Sequence, residues 1–242
     1  MTWKEAIKDY QYFLRIERGL SENSVAAYSQ DIKKLTRFLA DHKLKISPEE
    51  IDQSVIERFV YAGAREMAPR SQARMISGLR NFFDYLIFEE LRKENPTDLL
   101  ESPKIGRKLP DTLSEKEINS IIGAIDLSKP EGERNRVMLE VLYSCGLRVS
   151  EMIGLKISDL YFEEGFIKVT GKGNKQRFVP INTFTIKLIG NYKNLIRTGI
   201  KVQKGFEDTL FLNRRGRQLS RNMVFMILKM RRLAPCRLLQ MR

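Results

Sequence analysis

The chain contains few residues of the types that mark several common protein classes. Its 242 residues include two cysteines, one histidine and one tryptophan. The cysteines, Cys145 and Cys236, form neither a disulfide framework nor a zinc-binding spacing. No uncharged apolar run approaches the roughly 18 residues of a membrane span, and the charged first residues are unlike a signal peptide. These absences favour a cytoplasmic protein with no membrane partner.

Positive charge is abundant, but its excess is confined to the second part of the chain. The formal net charge is +13. Residues 1–106 hold 17 basic and 17 acidic side chains, whereas residues 107–242 hold 26 basic and 13 acidic ones. A one-sided excess is the electrostatic footprint of a polyanion partner. It favours a nucleic acid over an anionic membrane, and a basic protein that is merely soluble is the alternative.

Residues 1–100 show the spacing of amphipathic helices. Apolar residues recur every three or four positions in four stretches, and these are separated by candidate stops and caps at Gly19, Ser21, Asp52 and Pro69. The pattern predicts a small bundle of four helices. Periodicity is weak from residue 95 onward, and we place an interdomain linker at 101–112.

Residues 113–242 predict a second domain that is mixed α/β, mostly helical with a small antiparallel sheet. Ser114–Glu117 has the pattern of a capping box, and a further helix is expected from about Glu133 to Cys145. Two alternating runs flank Gly171–Asn174, which indicates a β-hairpin. We also predict a helix at 184–197, a short strand at 209–212, and a helix over 223–230 that is capped by Ser220.

Arg148 and the hairpin turn are the places where functional chemistry is expected. We place Arg148 on the first turn of a helix, where backbone N–H groups suit a phosphate. A structural ion pair with Glu151, three residues later, is an equally good interpretation. In the turn, Lys172 lies between two glycines, which favours a functional role. Lys175 also fits an ordinary solvated turn.

Three motifs follow one another in the second part. They are Gly-Leu-Arg-Val-Ser-Glu at 146–151, Val-Thr-Gly-Lys-Gly-Asn-Lys-Gln-Arg at 169–177 and Val-Pro-Ile at 179–181. In this order they resemble the tyrosine site-specific recombinases, and most of all the bacterial Xer recombinases. Upstream, Glu-Arg-Gly-Leu-Ser at 17–21 and Ser-Gly-Leu-Arg-Asn-Phe-Phe at 77–83 resemble parts of that family's SAM-like DNA core-binding domain.

The resemblance implies a reaction and the residues that carry it. In the family, a tyrosine attacks the scissile phosphate to form a 3′-phosphotyrosyl bond, without metal or cofactor. Two arginines and a histidine stabilise the transition state, and a hairpin lysine protonates the leaving 5′ oxygen. Fixed cations suit this reaction because the phosphodiester gains negative charge on attack. Arg148 would be the first arginine, Lys172 the hairpin lysine and Glu151 a supporting residue.

The resemblance also implies the partners. We expect double-stranded DNA, and other recombinase subunits in a tetrameric synapse. The residues predicted to contact DNA are Arg74 and Arg80 on the fourth helix, and Lys175, Arg177 and Arg221 in the basic second part.

The chain departs from the family's pattern in its last third. Its one histidine is His42, so the family's His-x-x-Arg segment is absent, and no tyrosine follows Tyr192. We predict His42 as an exposed residue near a helix end, Tyr143 as a core residue and Tyr192 as a packing or surface residue. The expectation is a catalytic domain that is incomplete at its C-terminus, in a chain that binds DNA without cleaving it.

The end of the chain leaves three interpretations open. Residues 209–242 carry nine basic side chains and no acidic one, and the resemblance ends near residue 228. The chain could be a frameshifted or truncated recombinase. It could be a non-enzymatic DNA-binding or regulatory module that acts as a dominant-negative partner. It could also be an active recombinase that a partner subunit completes in trans.

Overall fold

The computed structural model describes residues 1–64, 67–106, 109 and 112–230. The chain divides into two compact units, Met1–Lys108 and Leu109–Arg242. Each unit has an apolar core of its own. The last part of the basic end, from position 231 onward and including Cys236, lies outside the described residues.

The first unit is a helical bundle, as the apolar spacing predicted. Gly19 takes a positive φ of 59° after the first helix. The hydroxyl of Ser21 accepts a hydrogen bond from the Ser24 N–H and so caps the second helix. Asp52 accepts one from the Val55 N–H at the start of the third. The helices are α1 (Trp3–Tyr12, continued by a π-helical turn over Phe13–Glu17), α2 (Glu22–Asp41), α3 (Gln53–Ala64) and α4 (Pro69–Phe88).

The segment after α4 packs on the bundle although it has little helical periodicity. Asn95 is buried, and its amide donates to Asp84 Oδ1 at 2.6 Å. Thr97, also buried, donates to the Asn95 side-chain oxygen from both its N–H and its hydroxyl. These bonds satisfy polar groups that would otherwise be costly to bury, so residues 95–97 belong to the first unit.

The second unit has the predicted mixed class. Three antiparallel strands form a sheet in the order β1-β2-β3, and the hairpin from β2 to β3 is the one that the sequence indicated. The capping box at Ser114 is present. The elements are α5 (Glu115–Gly123), α6 (Pro130–Ser144), α7 (Val149–Ile153), β1 (Leu160–Tyr161), β2 (Phe166–Thr170), β3 (Gln176–Pro180), α8 (Thr183–Asn191, extended by a π-helical turn over Tyr192–Ile196) and α9 (Arg221–Met230).

Two predictions about the second unit are wrong. Residues 209–212 do not form a strand, because Thr209 and Leu212 make only isolated bridges, to Lys156 and Gln218. The apolar residues there are buried in the core of the second unit as an irregular segment and are not part of the sheet. Tyr143 is not in the core. It lies on α6 with 48% of its surface exposed.

The helices of the described residues are too short or too polar to span a bilayer. Within residues 1–64, 67–106, 109 and 112–230, none of them combines the length and the apolar character needed to cross a membrane.

A glycine near the start of α6 provides a test of the fold. A Cβ at Gly132 would lie 1.8 Å from the Asp126 carbonyl oxygen, so Gly132→Ala forces the backbone apart. We expect a loss of roughly 1–3 kcal/mol in the free energy of unfolding, as for other overpacked sites. The measurement is urea unfolding followed by circular dichroism.

The matched control is Gly190→Ala in α8, where a Cβ would meet nothing within 4 Å. Alanine is the better helix former by about 1 kcal/mol, so this variant should be neutral or stabilised. Equal losses in the two variants would contradict the packing around Gly132.

Candidate active site

Arg148 lies immediately before the short helix α7. Its backbone is extended, with φ −70° and ψ 151°, and it is the N-cap residue. The helix therefore begins at Val149, one residue later than we predicted. The backbone N–H of Arg148 donates to Glu151 Oε2 at 2.9 Å, and its Nη1 donates to Glu151 Oε1, also at 2.9 Å. The carboxylate thus holds both the start of the helix and the guanidinium.

Arg177 reaches the same carboxylate from the hairpin. The strand register pairs Arg177 with Val169, which is buried, so that the two side chains share the inner face of the sheet. Arg177 Nη1 and Nη2 donate to Glu151 Oε1 and Oε2, each at 2.9 Å. This two-atom geometry is the strong form of an arginine–carboxylate pair. It joins the hairpin to α7.

Glu151 is the centre of this cluster. Its side chain is 2% exposed and accepts hydrogen bonds from both arginines. The bonds from Arg177 lower the pKa of the Glu151 carboxyl to about 2, together with those from Arg148 and in spite of burial, which raises it. In turn, the carboxylate raises the pKa of Arg177. The pair of Arg177 and the buried Glu151 therefore keeps its opposite charges.

The hairpin turn begins directly at this cluster. A Cβ at Gly171 would lie 3.1 Å from Glu151 Oε1 and 3.2 Å from Arg177 Nη1, which is tighter than ordinary contact. The Gly171 N–H closes the turn on the Lys175 carbonyl at 2.8 Å. Lys172 follows in a 3-10 turn over Lys172–Asn174 and is exposed. A glycine at 171 thus lets the chain that carries Lys172 pass against the carboxylate that holds Arg148.

The structural interpretation of Arg148 is confirmed, and its role at a phosphate stays a prediction. Arg148 makes the ion pair with Glu151, and its side chain is nevertheless 73% exposed. An exposed guanidinium whose inner edge is fixed by a buried carboxylate keeps donors for a ligand at low conformational cost. The structural bond therefore orients the group that would bind a phosphate.

The other predicted DNA-contacting residues have distinct surroundings. Arg74 donates from both Nη atoms to Asp31 at 2.7 and 2.8 Å. Arg80 donates from Nη2 to the carbonyls of Thr97 and Leu100, each at 3.2 Å. These bonds hold the segment after α4 against that helix. Lys175, in the hairpin turn, and Arg221, the first residue of α9, are exposed. For all of them, DNA contact stays a prediction.

Tyr192 and His42 have the residue types of the family's nucleophile and catalytic histidine. Their surroundings are those of structural residues. Tyr192 is 1% exposed and stacks on Phe211, and its hydroxyl accepts a bond from the Leu212 N–H. Burial raises the pKa of Tyr192, which disfavours the phenolate that a nucleophile needs. His42 ends α2 and is exposed, as predicted.

Asp31 is the polar residue whose structural role the sequence analysis missed. It is fully buried, and its partner Arg74 is 43 residues away. A signal was present, because Asp31 falls between Tyr28 and Leu35 on the apolar stripe of α2. A carboxylate in such a stripe requires a partner, but the sequence does not say which one.

Comparison with known proteins identifies the class. A profile of the Phage integrase family matches residues 111–234. A profile of the Phage integrase N-terminal SAM-like domain matches residues 7–90. The chain belongs to the phage integrase family, whose members are tyrosine site-specific recombinases.

Its relatives narrow the class to the Xer type. Tyrosine recombinase XerD of Staphylococcus saprophyticus is 38% identical over 224 residues, which cover 92% of this chain and 75% of that protein. Tyrosine recombinase XerD of Oceanobacillus iheyensis is 37% identical over 225 residues, covering 93% of this chain and 75% of that protein. The motifs at 146–151 and 169–177, which carry the resemblance, lie within the region that the family profile matches.

Solved structures share the fold. The lambda integrase fragment of residues 75–356 bound to DNA aligns with a TM-score of 0.70 at 19% identity, over 95% of this chain and 77% of that one. The XerH recombinase in its post-cleavage complex with difH aligns with a TM-score of 0.69 at 21% identity, over 93% of this chain and 67% of that one. At this identity the likeness supports the architecture alone.

The shared carboxylate leads to a test of stability. Glu151→Gln leaves both arginines without their anion, so we expect a loss of roughly 1.5–3 kcal/mol in the free energy of unfolding at pH 7, the range for hydrogen bonds to a charged group. The control is Glu163→Gln, at an exposed position between β1 and β2, which should change stability little.

The pH dependence gives the same test an independent readout. The folded-state pKa of Glu151, about 2, lies below its ordinary value of 4.5. Its stabilising contribution is therefore complete above about pH 4.5 and is lost as the pH falls toward 2. Urea unfolding at stepped pH should show the gap between wild type and Glu151→Gln narrowing over this interval. A gap that stays constant there would rule out the assigned role.

Proposed function

We propose that this chain binds double-stranded DNA as a Xer-type recombinase subunit and that, as a 242-residue chain, it does not cleave DNA by itself. The observation that carries the proposal is the Glu151 cluster. It holds Arg148 at the surface, 73% exposed, and fastens the Lys172 hairpin to the same anion. Exposed, oriented cations of this kind suit a phosphodiester.

The proposed roles follow from this arrangement. Arg148 binds a non-bridging oxygen of the phosphate, and Lys172 is the group that would protonate the leaving oxygen if a nucleophile were supplied. Glu151 and Arg177 position these groups. Arg177, which the sequence analysis assigned to DNA contact, is more than half covered and uses both Nη atoms on Glu151, so positioning is its better-supported role.

The charge distribution supports DNA binding independently of the site. The whole excess of +13 belongs to residues 107–242. Phosphate contacts by lysine and arginine release counterions and make the affinity depend on salt. Relatives of this fold are described in complexes with DNA, including a lambda integrase tetramer on a Holliday junction. We propose the same kind of partner, DNA together with further recombinase subunits, for this chain.

The proposal that cleavage fails rests on residue types. A covalent mechanism needs a nucleophile and groups that stabilise the developing charge. The chain has no histidine besides His42, in the first unit, and no tyrosine after Tyr192. Tyr192 is held in the core of the second unit. The cluster can therefore position a phosphate without supplying the attacking group.

DNA binding is tested by gel shift of the chain on duplex DNA over a salt series. We expect log affinity to fall linearly with log salt, with a slope that decreases by about 0.9 for each phosphate-binding cation removed. Lys175→Ala and Arg221→Ala should each lower the slope by about that amount. Lys4→Ala removes the same charge from an exposed position on α1 and should change the slope less. An affinity that ignores salt would overturn the proposal.

Loss of cleavage is tested with a nicked suicide substrate on DNA that the gel shift shows to be bound. We expect no covalent protein–DNA adduct after denaturing electrophoresis. A complete Xer recombinase on its own site serves as the positive control. An adduct formed by this chain alone would show that another residue acts as the nucleophile, and a Tyr143→Phe variant would then test whether the exposed α6 tyrosine is that residue.

A further inference from the structure

The first unit contains a second buried carboxylate that fixes an arginine. Asp31 on α2 is fully buried. Arg74 on α4 donates to its two oxygens at 2.7 and 2.8 Å, while the Arg74 side chain remains 51% exposed. Lys34 Nζ lies 3.8 Å from Asp31 Oδ1, too far for a hydrogen bond. The arrangement places the guanidinium at the surface of α4 in one orientation.

The backbone of α4 is adapted to this carboxylate. Gly78 lies one turn after Arg74, and a Cβ there would be 2.7 Å from Asp31 Oδ2. Any larger residue at 78 would displace the carboxylate that Arg74 uses. The site is therefore built from three residues on two helices, and one of them is required for its lack of a side chain.

The pairing changes what Arg74 can offer to a ligand. A guanidinium has five N–H donors, and a carboxylate partner leaves the others free for a further acceptor. Asp31 also compensates the positive charge at close range, so the net attraction for a phosphate is weakened. What remains is a planar, fixed donor edge, which favours directional recognition over charge attraction.

We propose that Arg74, positioned by Asp31, reads a guanine edge in the major groove of the bound DNA. Guanine presents the O6 and N7 acceptors there, and an arginine edge meets both. Asp31 and Gly78 are positioning residues for this contact. The inference rests on the proposed DNA binding and adds to it a residue that selects sequence.

The experiment is selection of bound duplexes from a randomised pool by the full chain. Wild type should enrich sites that share at least one invariant guanine, and changing that base should weaken binding on the order of ten- to a hundredfold. Arg74→Lys keeps the charge but loses the planar donor edge of the guanidinium. The variant should therefore lose the guanine preference at that position and keep the base preferences at other positions. Arg70→Lys is the matched control, because Arg70 lies one turn earlier on α4, is exposed and makes no ion pair within the described residues.

Asp31→Asn provides a readout that a merely structural role would not move. It frees the Arg74 charge while keeping the size of the side chain. Binding to random duplexes should therefore tighten at low salt, with a slope larger by about 0.9, while the guanine preference weakens. Thermal unfolding of each variant confirms that the bundle is folded under the binding conditions.

The outcomes separate this inference from the function on which it rests. If no duplex is bound at any salt concentration, both are overturned. If wild type binds without selecting a sequence, or Arg74→Lys selects the same sites as wild type, only the guanine contact is overturned. If Arg74→Ala weakens all duplexes equally and lowers the salt slope by about 0.9, Arg74 is a phosphate contact and the inference is likewise wrong.

Discussion

The carboxylate of Glu151 is the interaction on which the second unit's site depends. It lies 2% exposed between α7 and the hairpin, and it accepts bonds from Arg148 on one side and Arg177 on the other. Removing the arginines would leave this buried anion without a partner, which costs more than the pair contributes. The position of the exposed Arg148 guanidinium and the course of the Lys172 turn are therefore set by one buried group.

The same arrangement occurs in the first unit at Asp31 and Arg74. In both places a carboxylate in the protein interior binds an arginine that is at least two-fifths exposed. Because the anion cannot stay buried without its partner, the arginine is held in one orientation before any ligand arrives. Arg134 differs, since it is itself buried and donates to the Asn135 side chain and the Leu212 carbonyl. Arg134 therefore connects α6 to Leu212 within the core, whereas burial of the anion at Asp31 and Glu151 presents the cation to solvent.

The parts of the structure that the sequence could predict are those with local signals. Apolar periodicity and caps predicted the helices, and the Gly-Asn turn predicted the hairpin, because both signals are local. The hairpin register would also have placed Arg177 on the inner face with Val169. The sequence could not predict that Glu151 is the partner of Arg177, or that Arg74 is the partner of Asp31, since these pairs depend on tertiary packing. The strand predicted at 209–212 failed for a related reason, because burial of an apolar run does not require a neighbouring strand.

Positioning and reaction are separable in this chain. Positioning needs cations fixed by the fold, and the Glu151 cluster supplies them from segments 26 residues apart. Reaction also needs a group that attacks phosphorus. Of the second unit's tyrosines, Tyr192 is in the core, Tyr161 packs edge-on against Phe178, and Tyr143 is exposed on α6. A preorganised site retains its affinity for charge when its nucleophile is missing, because the electrostatic contribution does not depend on bond formation. The proposed DNA binding therefore depends on the fixed cations and not on whether the chain cleaves DNA.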